Sequence, residues 1–281
     1  MIPLLLAAGN PGPMTGTGNN TYLLAAEGGT AMLIDAGVGA PGHLADLAAA
    51  LDARHARLTH VLVTHGHADH AGGATALAAA QPDAEFLKHP WPEEDHRFPV
   101  AWRALCDGDQ VQAAEEKITV VATPGHSPDH LAFWHEASRT MFTGDLVALG
   151  TSVMIHASRG GNLADYMHSL ERVLTFNPVV LLPAHGPRVE HPQALITAYL
   201  EHRRQREQQV IAALRAGHTT VEAIAESIYH GLDAALMPAA RENVCAHLEK
   251  LAEDEHGASA PLQEQIREAM AAWRRSSTSS T

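Results

Sequence analysis

The sequence has few cysteines, few basic residues and no long apolar run, and each shortage excludes a class of protein. Its two cysteines, Cys106 and Cys245, lie far apart and in no metal-binding spacing. We expect both to be buried reduced thiols, with one disulfide between them as the alternative. No stretch approaches the roughly 18 uninterrupted apolar residues of a membrane span. Residues 1–8 are apolar but few, lack a basic flank and lead into a turn, so we expect no signal peptide and a cytoplasmic location.

Basic residues are outnumbered by acidic ones. The chain has 19 Lys and Arg against 32 Asp and Glu, a formal net charge of −13. This charge repels phosphate backbones over most of the surface, which disfavours a broad nucleic-acid-binding face. Histidine is abundant instead, with 20 residues in 281. A single histidine therefore carries little information in this chain, and only patterned histidines indicate a site.

Local patterns divide the chain into a mixed α/β part and a helical part. We predict a catalytic domain at 1–200, a helical domain at 201–275 and a disordered Ser/Thr tail at 276–281. The predicted strands are 21–26, 30–35, 60–64, 85–88, 117–122, 131–135, 140–143 and 179–182. The predicted helices are 43–55, 70–80, 162–176, 195–214, one capped by Thr219, and 238–255.

Seven potential metal ligands follow the ends of four predicted strands: His65, His67, Asp69, His70, His126, Asp145 and His185. The first four lie within six residues, directly after the strand 60–64. Residues at i and i+2 of a strand share a face, so His65 and His67 can converge, and Asp69 and His70 open the next helix. Imidazole and carboxylate groups suit zinc, and also manganese or iron. The pattern predicts a metal centre, with a chance cluster in a histidine-rich chain as the alternative.

The run His65-Gly66-His67-Ala68-Asp69-His70, with the three later ligands, resembles the HxHxDH pattern of the metallo-β-lactamase superfamily over residues 10–190. The resemblance implies an α/β fold, an αββα sandwich with its site at one edge of the two sheets. It also implies two zinc ions per chain, with manganese or iron as alternatives. The implied ligands are His65, His67 and His126 for the first metal, Asp69, His70 and His185 for the second, and Asp145 as the bridge.

Such a ligand set predicts hydrolytic chemistry. Two cations about 3.5–4 Å apart can share a water and lower its pKa towards roughly 7, which gives a bridging hydroxide at neutral pH. Asp145 as the bridge and Asp69, which can orient the hydroxide or take its proton, are the candidate catalytic residues. No Ser-His-Asp nucleophile motif and no phosphate-binding P-loop competes with this interpretation. We therefore predict a dinuclear metal-dependent hydrolase.

Residues 10–23, 123–133 and 202–208 resemble the branch of this superfamily that includes β-lactamase-like protein 2. That branch implies a winged-helix-like domain after the metal domain, and its functions include an RNA endonuclease and hydroxyacylglutathione hydrolase-like enzymes. Residues 201–281 carry nine basic and twelve acidic residues, and the expected wing at 257–261 has no strand pair or basic tip. The acidic charge and the absent wing pattern favour a helical domain that caps the first domain or forms a homodimer surface. They disfavour a DNA-binding face.

Four residues are candidate substrate contacts. Ser127 and His130 flank His126, Thr151 follows a ligand, and Arg203 begins a basic run that would meet an anionic substrate if it overhung the cleft. The alternatives are orientation of His126 or helix capping near Ser127, a chain turn at Thr151, and a solvated helix face at Arg203.

Hydrolysis of a small ester, thioester or lactone is the function that the sequence favours. One alternative is a metal-dependent endoribonuclease acting on single-stranded RNA. Another, from a different class, is a metal- or DNA-binding regulator that uses the C-terminal helices. The expected partner is a small acyl substrate, with RNA as the alternative, and no membrane partner is expected.

Overall fold

The computed structural model describes residues 2–12, 15–113, 115–253 and 260–277. Its strands are β1 (Leu4–Ala7), β2 (Asn20–Ala25), β3 (Thr30–Ile34), β4 (Arg57–Leu62), β5 (Glu85–Lys88), β6 (Trp102–Ala104), β7 (Gln110–Ala113), β8 (Glu116–Ala122), β9 (Leu131–His135), β10 (Thr140–Gly144) and β11 (Val180–Pro183). Its α-helices are α1 (Pro41–Asp52), α2 (Ala68–Ala71), α3 (Ala74–Ala80), α4 (Pro92–Asp95), α5 (Leu163–Thr175), α6 (Pro192–Arg215), α7 (Val221–Ile228), α8 (Met237–Glu253) and α9 (Ala260–Ser277).

The strands form two sheets. One has the order β1-β2-β3-β4-β5-β6 and the other β11-β10-β9-β8-β7. The predicted hairpin is confirmed, since β2 and β3 pair antiparallel with Leu23 opposite Leu33. From β3 to β6 the neighbours are parallel, and β10 pairs parallel with β11. Parallel strands end at the same sheet edge, which brings the loops that follow them close together.

Alternating side chains explain why the two sheets stack. On β3, Leu33 points into a cluster with α1 residues such as Leu47, while Met32 and Ile34 point into a cluster with Phe133 of the second sheet. A strand buried on both faces reads as a continuous apolar run, as 31–34 does. The αββα sandwich expected from the resemblance is confirmed.

Two local predictions about the first 130 residues need correction. The single helix predicted at 70–80 is split into α2 and α3 at Gly72-Gly73, because a Cβ on Gly73 would lie 2.1 Å from the Ala36 carbonyl oxygen. The backbones approach too closely there for any other residue. Cys106 is exposed rather than buried, because it begins a turn in which Asp109 accepts a hydrogen bond from its N–H; Cys245 is buried as expected, and the two cysteines form no disulfide.

The chain divides into two compact units: Met1–Pro124, Asp129–Val153 and Ser169–Ile196 in one, and Gly125–Pro128, Met154–His168 and Thr197–Thr281 in the other. The second unit has its own apolar cluster, with Leu214 of α6, Ile224 of α7, Leu248 of α8 and Ile266 of α9 at its centre. Among the described residues, no helix is both long and apolar enough to cross a membrane. The domain boundary predicted near residue 200 stays a prediction.

The helical unit differs from the sequence prediction in three places. Thr220 caps α7, accepting from the Ala223 N–H at 3.1 Å, whereas Thr219 was the predicted cap. The helix α9 was not predicted, and it includes Ser276 and Ser277 of the predicted tail because apolar residues such as Ile266 anchor it. Residues 278–281 lie outside the described residues, and so does most of the predicted wing region 257–261. In the described parts of 197–277 no strand is present.

Candidate metal centre

All seven predicted ligands are brought together at the ends of β4, β8, β10 and β11. Three groups each place one ligand atom per residue within 4.8 Å of one another. They are His65 with His67 and His126, Asp69 with His70 and His185, and Asp145 with His65 and His70. The first two groups are the two ligand triads that the resemblance implied. Asp145 is grouped with one imidazole from each triad, which is the position of a bridging ligand.

In the first triad the ring nitrogens converge, and the protein holds the opposite nitrogens of His65 and His126. The Nε2 atom of His65 lies 2.9 Å from Nδ1 of His67. His65 Nδ1 lies 3.1 Å from the Thr64 hydroxyl oxygen, and His126 Nδ1 lies 2.9 Å from the Met154 carbonyl oxygen. A carbonyl can only accept, so His126 carries its proton on Nδ1 and presents Nε2 as a ligand.

The second triad is assembled by carboxylates. His185 Nε2 lies 3.5 Å from Asp69 Oδ2 and 3.2 Å from Asp145 Oδ1, and His70 Nε2 lies 3.6 Å and 3.5 Å from the same oxygens. Asn19, the residue before β2, donates from Nδ2 to Asp69 Oδ2 at 3.1 Å. Four titratable groups therefore meet in a volume that a divalent cation could enter.

The charges of these groups perturb one another strongly. Burial lowers the pKa of His185, but hydrogen bonds to Asp145 and Asp69 raise it overall to about 9. Burial also opposes ionisation of His70, yet the neighbouring carboxylates hold its pKa well above the usual range. Burial alone would raise the pKa of Asp69, whereas the charge of His70 and a hydrogen bond from His185 keep it far below its usual range. Carboxylates that stay ionised beside several imidazoles are a cation-binding arrangement.

Asp35, at the end of β3, orients one imidazole from each triad. Its Oδ2 lies 2.9 Å from His70 Nδ1, and its Oδ1 accepts from the Thr64 N–H at 2.7 Å and the Thr64 hydroxyl at 3.0 Å. The carboxylate can only accept, so His70 must carry its proton on Nδ1 and present Nε2. The Thr64 hydroxyl then accepts from His65 Nδ1 and fixes that ring in the same way. Carboxylate–histidine pairs of this kind are typical of metal sites.

Sequence reasoning missed Asp35 and also a buried ionic cluster beside the site. Lys88, at the end of β5, is 1% exposed; its Nζ lies 2.6 Å from Asp95 Oδ1 and 3.1 Å from Asp129 Oδ2. The same Asp129 oxygen lies 3.3 Å from the position of a Cβ on Gly66, between His65 and His67. The sequence could have indicated both residues, because Asp35 and Lys88 are charged residues at the ends of predicted buried strands.

The four predicted substrate contacts differ in their burial and in their hydrogen-bond partners. His130 is buried, with Nδ1 2.8 Å from the Thr123 hydroxyl and Nε2 accepting from the Asp145 N–H at 3.1 Å, so it positions Asp145 and has no ring nitrogen left for a substrate. Ser127 is buried, which leaves no exposed hydroxyl for a substrate. Thr151 is exposed and its role stays a prediction. Arg203 is buried, so it is not on a solvated helix face.

The donor set fits divalent cations. It offers imidazole nitrogens and carboxylate oxygens without cysteine, which suits zinc, manganese and iron alike. The inward-facing nitrogens of His65 and His67 are already directed at one another, and outer partners fix three of the rings. Preoriented rings with occupied outer nitrogens are what a metal site requires.

Comparisons with known proteins agree with this geometry. The family profile described as Metallo-beta-lactamase superfamily matches residues 14–185, and the profile described as Beta-lactamase associated winged helix domain matches residues 220–256. Lactamase-like protein adaB of Aspergillus niger is 33% identical, over 89% of this chain and 80% of its own length. A Beta-lactamase-like protein 2 homolog of Caenorhabditis elegans is 30% identical, over 87% and 82%.

A further relative is named for its substrate. The Atrochrysone carboxyl ACP thioesterase of Aspergillus fumigatus is 34% identical, and the match covers 74% of this chain and 63% of that protein. Among solved structures, a metallo-beta-lactamase family protein from Thermus thermophilus shares the fold at a TM-score of 0.73, with 22% identity over 92% of this chain and 96% of that one. A protein crystallised in a di-iron-bound form gives a TM-score of 0.54 with 27% identity, over 72% and 97%.

Proposed function

Because the chain belongs to the metallo-β-lactamase superfamily, we propose that its His/Asp centre holds two divalent cations and hydrolyses a small acyl ester, with a thioester as the first candidate. The observation that carries the proposal is the position of Asp145. Its carboxylate is grouped with one imidazole of each triad, His65 and His70. A single cation would need only one triad, whereas a shared carboxylate between two triads favours a pair.

The bound cations would supply Lewis acidity and an activated water. The chain's own residues hold the ligands in place. Asp35 and Thr64 fix the protonated nitrogens of His70 and His65, so that both rings present Nε2. His130 accepts from the backbone N–H of Asp145 and so fixes the main chain that carries this carboxylate. Asn19 donates to Asp69, which favours the ionised carboxylate that would bind the metal; a pKa so far below the usual range makes Asp69 a ligand and a weak base.

Substrate choice rests on charge and on the packing of the basic run. A net charge of −13 disfavours a polyanionic substrate. The RNA alternative depended on Arg203 to Arg206, but Arg203 is buried and the Arg206 guanidinium lies 4.2 Å from the Tyr229 ring centroid. Two of the three arginines of the run are therefore packed against the protein, and Arg204 is the exposed one. A relative named as an acyl carrier protein thioesterase supports a thioester among the acyl substrates.

The test is hydrolysis by the full-length protein of a panel of acyl thioesters, esters and lactones, with a labelled oligoribonucleotide assayed in parallel. We expect thioester turnover that chelator abolishes and that added zinc, manganese or iron restores. Asp145→Asn should reduce turnover by more than the roughly 10–100-fold that is typical for an outer partner of a ligand, since the shared ligand itself loses its charge. His191→Ala, which removes an exposed histidine, is the matched control and should behave as wild type.

The outcomes separate the alternatives. Binding of one metal equivalent rather than two would contradict the dinuclear proposal. Metal-dependent cleavage of the oligoribonucleotide with no turnover of any acyl substrate would favour the endoribonuclease. Retention of DNA without turnover of either class would favour the regulator.

A further inference from the structure

The basic run at 202–208 is built into the helical unit. Arg203 of α6 is 2% exposed, and its guanidinium carbon lies 5.3 Å from the ring centroid of Tyr166 on α5. Its Nη1 also donates to Asn243 Oδ1 of α8 at 3.2 Å. Removing a guanidinium from water costs free energy that such partners must offset. A guanidinium at this position therefore commits α5, α6 and α8 to one arrangement around it.

Tyr166 connects this arrangement to a predicted metal ligand. Its side chain is fully buried, and its backbone lies directly against Gly125. A Cβ on Gly125 would lie 2.2 Å from the Tyr166 nitrogen and 2.3 Å from its Cα, and the φ angle of Gly125 is +127°. Only glycine allows this approach. The Gly125 carbonyl also accepts from the Asn162 N–H at 2.9 Å, just before α5 begins.

The next residue after Gly125 is His126, one of the first triad. His126 Nδ1 donates to the Met154 carbonyl, on the same 154–168 segment that carries Tyr166. The loop that bears this imidazole is thus held by backbone contacts to one segment. That segment is also tied to α8, because Ser158 donates from its hydroxyl to Glu242 at 2.7 Å.

We propose that Arg203 is a positioning residue: by stacking on Tyr166 it fixes α5 against Gly125 and so holds His126 where it binds metal. The inference rests on the assignment of His126 as a metal ligand in the proposed function. It replaces the earlier hypothesis that Arg203 contacts the substrate.

The physical argument requires arginine at this position. A guanidinium is planar and presents several N–H donors, so it can stack on Tyr166 and donate to Asn243 at once. A lysine ammonium is a point charge that cannot satisfy both partners in the same geometry. Arg203→Lys therefore preserves the charge and removes the positioning contacts. Removal of a group that directly contacts a metal ligand typically lowers metal affinity by about 10–100-fold, and Arg203 acts on His126 through Tyr166 and Gly125, so the lower end of that range applies.

The experiment uses full-length metal-free protein in four forms: wild type, Arg203→Lys, Arg204→Lys and His126→Ala. Arg204 is the adjacent exposed arginine and is the matched control. Zinc affinity and equivalents are measured by competition with a chromophoric chelator, and amide hydrogen exchange is followed at Gly125 to Ser127. For Arg203→Lys we expect about 10-fold weaker binding of the zinc equivalent that His126→Ala also weakens, with faster exchange at these amides. Arg204→Lys should match wild type.

Wild-type zinc binding and exchange in a folded Arg203→Lys variant would overturn the proposal, and so would equal weakening of both zinc equivalents, which indicates general destabilisation. If Arg203→Lys fails to fold, Asn243→Ala removes only the hydrogen bond and should give a smaller loss at the same equivalent; unchanged binding there would overturn it. If His126→Ala keeps both equivalents, the ligand assignment fails and the proposed function with it. If His126→Ala loses one zinc equivalent while Arg203→Lys binds both as wild type does, only the positioning role of Arg203 fails.

Discussion

Asp35→Asn is expected to weaken metal binding while leaving the fold intact. Asp35 has a φ of 63°, in the left-handed region where asparagine is among the best tolerated residues, so the backbone should not change. The amide oxygen of asparagine can still accept from the Thr64 N–H, which lies 2.7 Å from Asp35 Oδ1. The amide NH2 would then face His70 Nδ1, where the carboxylate oxygen now lies at 2.9 Å.

Two donors cannot face each other, so His70 would have to move its proton to Nε2, the nitrogen that should bind metal. The variant therefore loses one hydrogen bond to a charged group, a change of about 1.5–3 kcal/mol. That range agrees with the roughly 10–100-fold loss of affinity that follows from removing an outer partner of a ligand. We expect this loss for the metal that His70 helps to bind.

The assay is zinc competition on the metal-free protein, combined with urea unfolding of the same samples. Asp46→Asn, an exposed position on α1, is the control and should match wild type in both. Zinc affinity of Asp35→Asn within twofold of wild type would refute the reasoning. A loss of unfolding free energy in the metal-free variant as large as the loss in binding would also refute it, because Asp35 would then be a folding residue.

Three further predictions concern stability, each measured by urea unfolding of metal-free protein. Gly144→Ala should destabilise by at least about 1–2 kcal/mol, because φ is +48° there and the new Cβ would lie 2.8 Å from Thr64 Cβ. Lys88→Met should cost about 3–5 kcal/mol, since it leaves the buried Asp129 without its cation. Burial lowers the pKa of His247 to about 4, so the native state resists protonation of this imidazole. The free energy of unfolding should therefore fall as the pH drops from about 6.5, the pKa in the unfolded chain, towards 4. At pH 5 the loss attributable to His247 is about 2 kcal/mol, and it should be absent in His247→Gln.

Matched variants isolate each effect. Gly150→Ala shares a positive φ but has open space around its Cβ, so it should cost less than Gly144→Ala; equal costs would show that contacts at Thr64 are irrelevant. Lys117→Met removes an exposed lysine and should be near neutral, and a neutral Lys88→Met would mean that the cluster carries no net stability. The same pH dependence in wild type and His247→Gln would place the effect on other groups.

The sequence by itself identified the seven candidate ligands, and its resemblance to a known family gave the fold that brings them together. His65 to His70 form a local pattern directly after a buried strand, and His126, Asp145 and His185 each follow another strand. The local patterns place each candidate ligand just after a strand, and the fold that the resemblance implies brings those strand ends to one edge. The break between α2 and α3 was not predicted, because it depends on how closely Gly73 approaches Ala36 across the fold.

Only the tertiary structure decided what supports the ligands. Asp35 reaches His70, which is 35 residues further along the chain, and Lys88 reaches Asp129. No local pattern encodes such pairs, because a buried charge is stable wherever the fold brings a partner to it. Arg203 is a second residue whose environment the local sequence does not predict. A basic residue on a helix predicts a solvated face, whereas packing of α5 and α8 around it turned that residue into part of the interior.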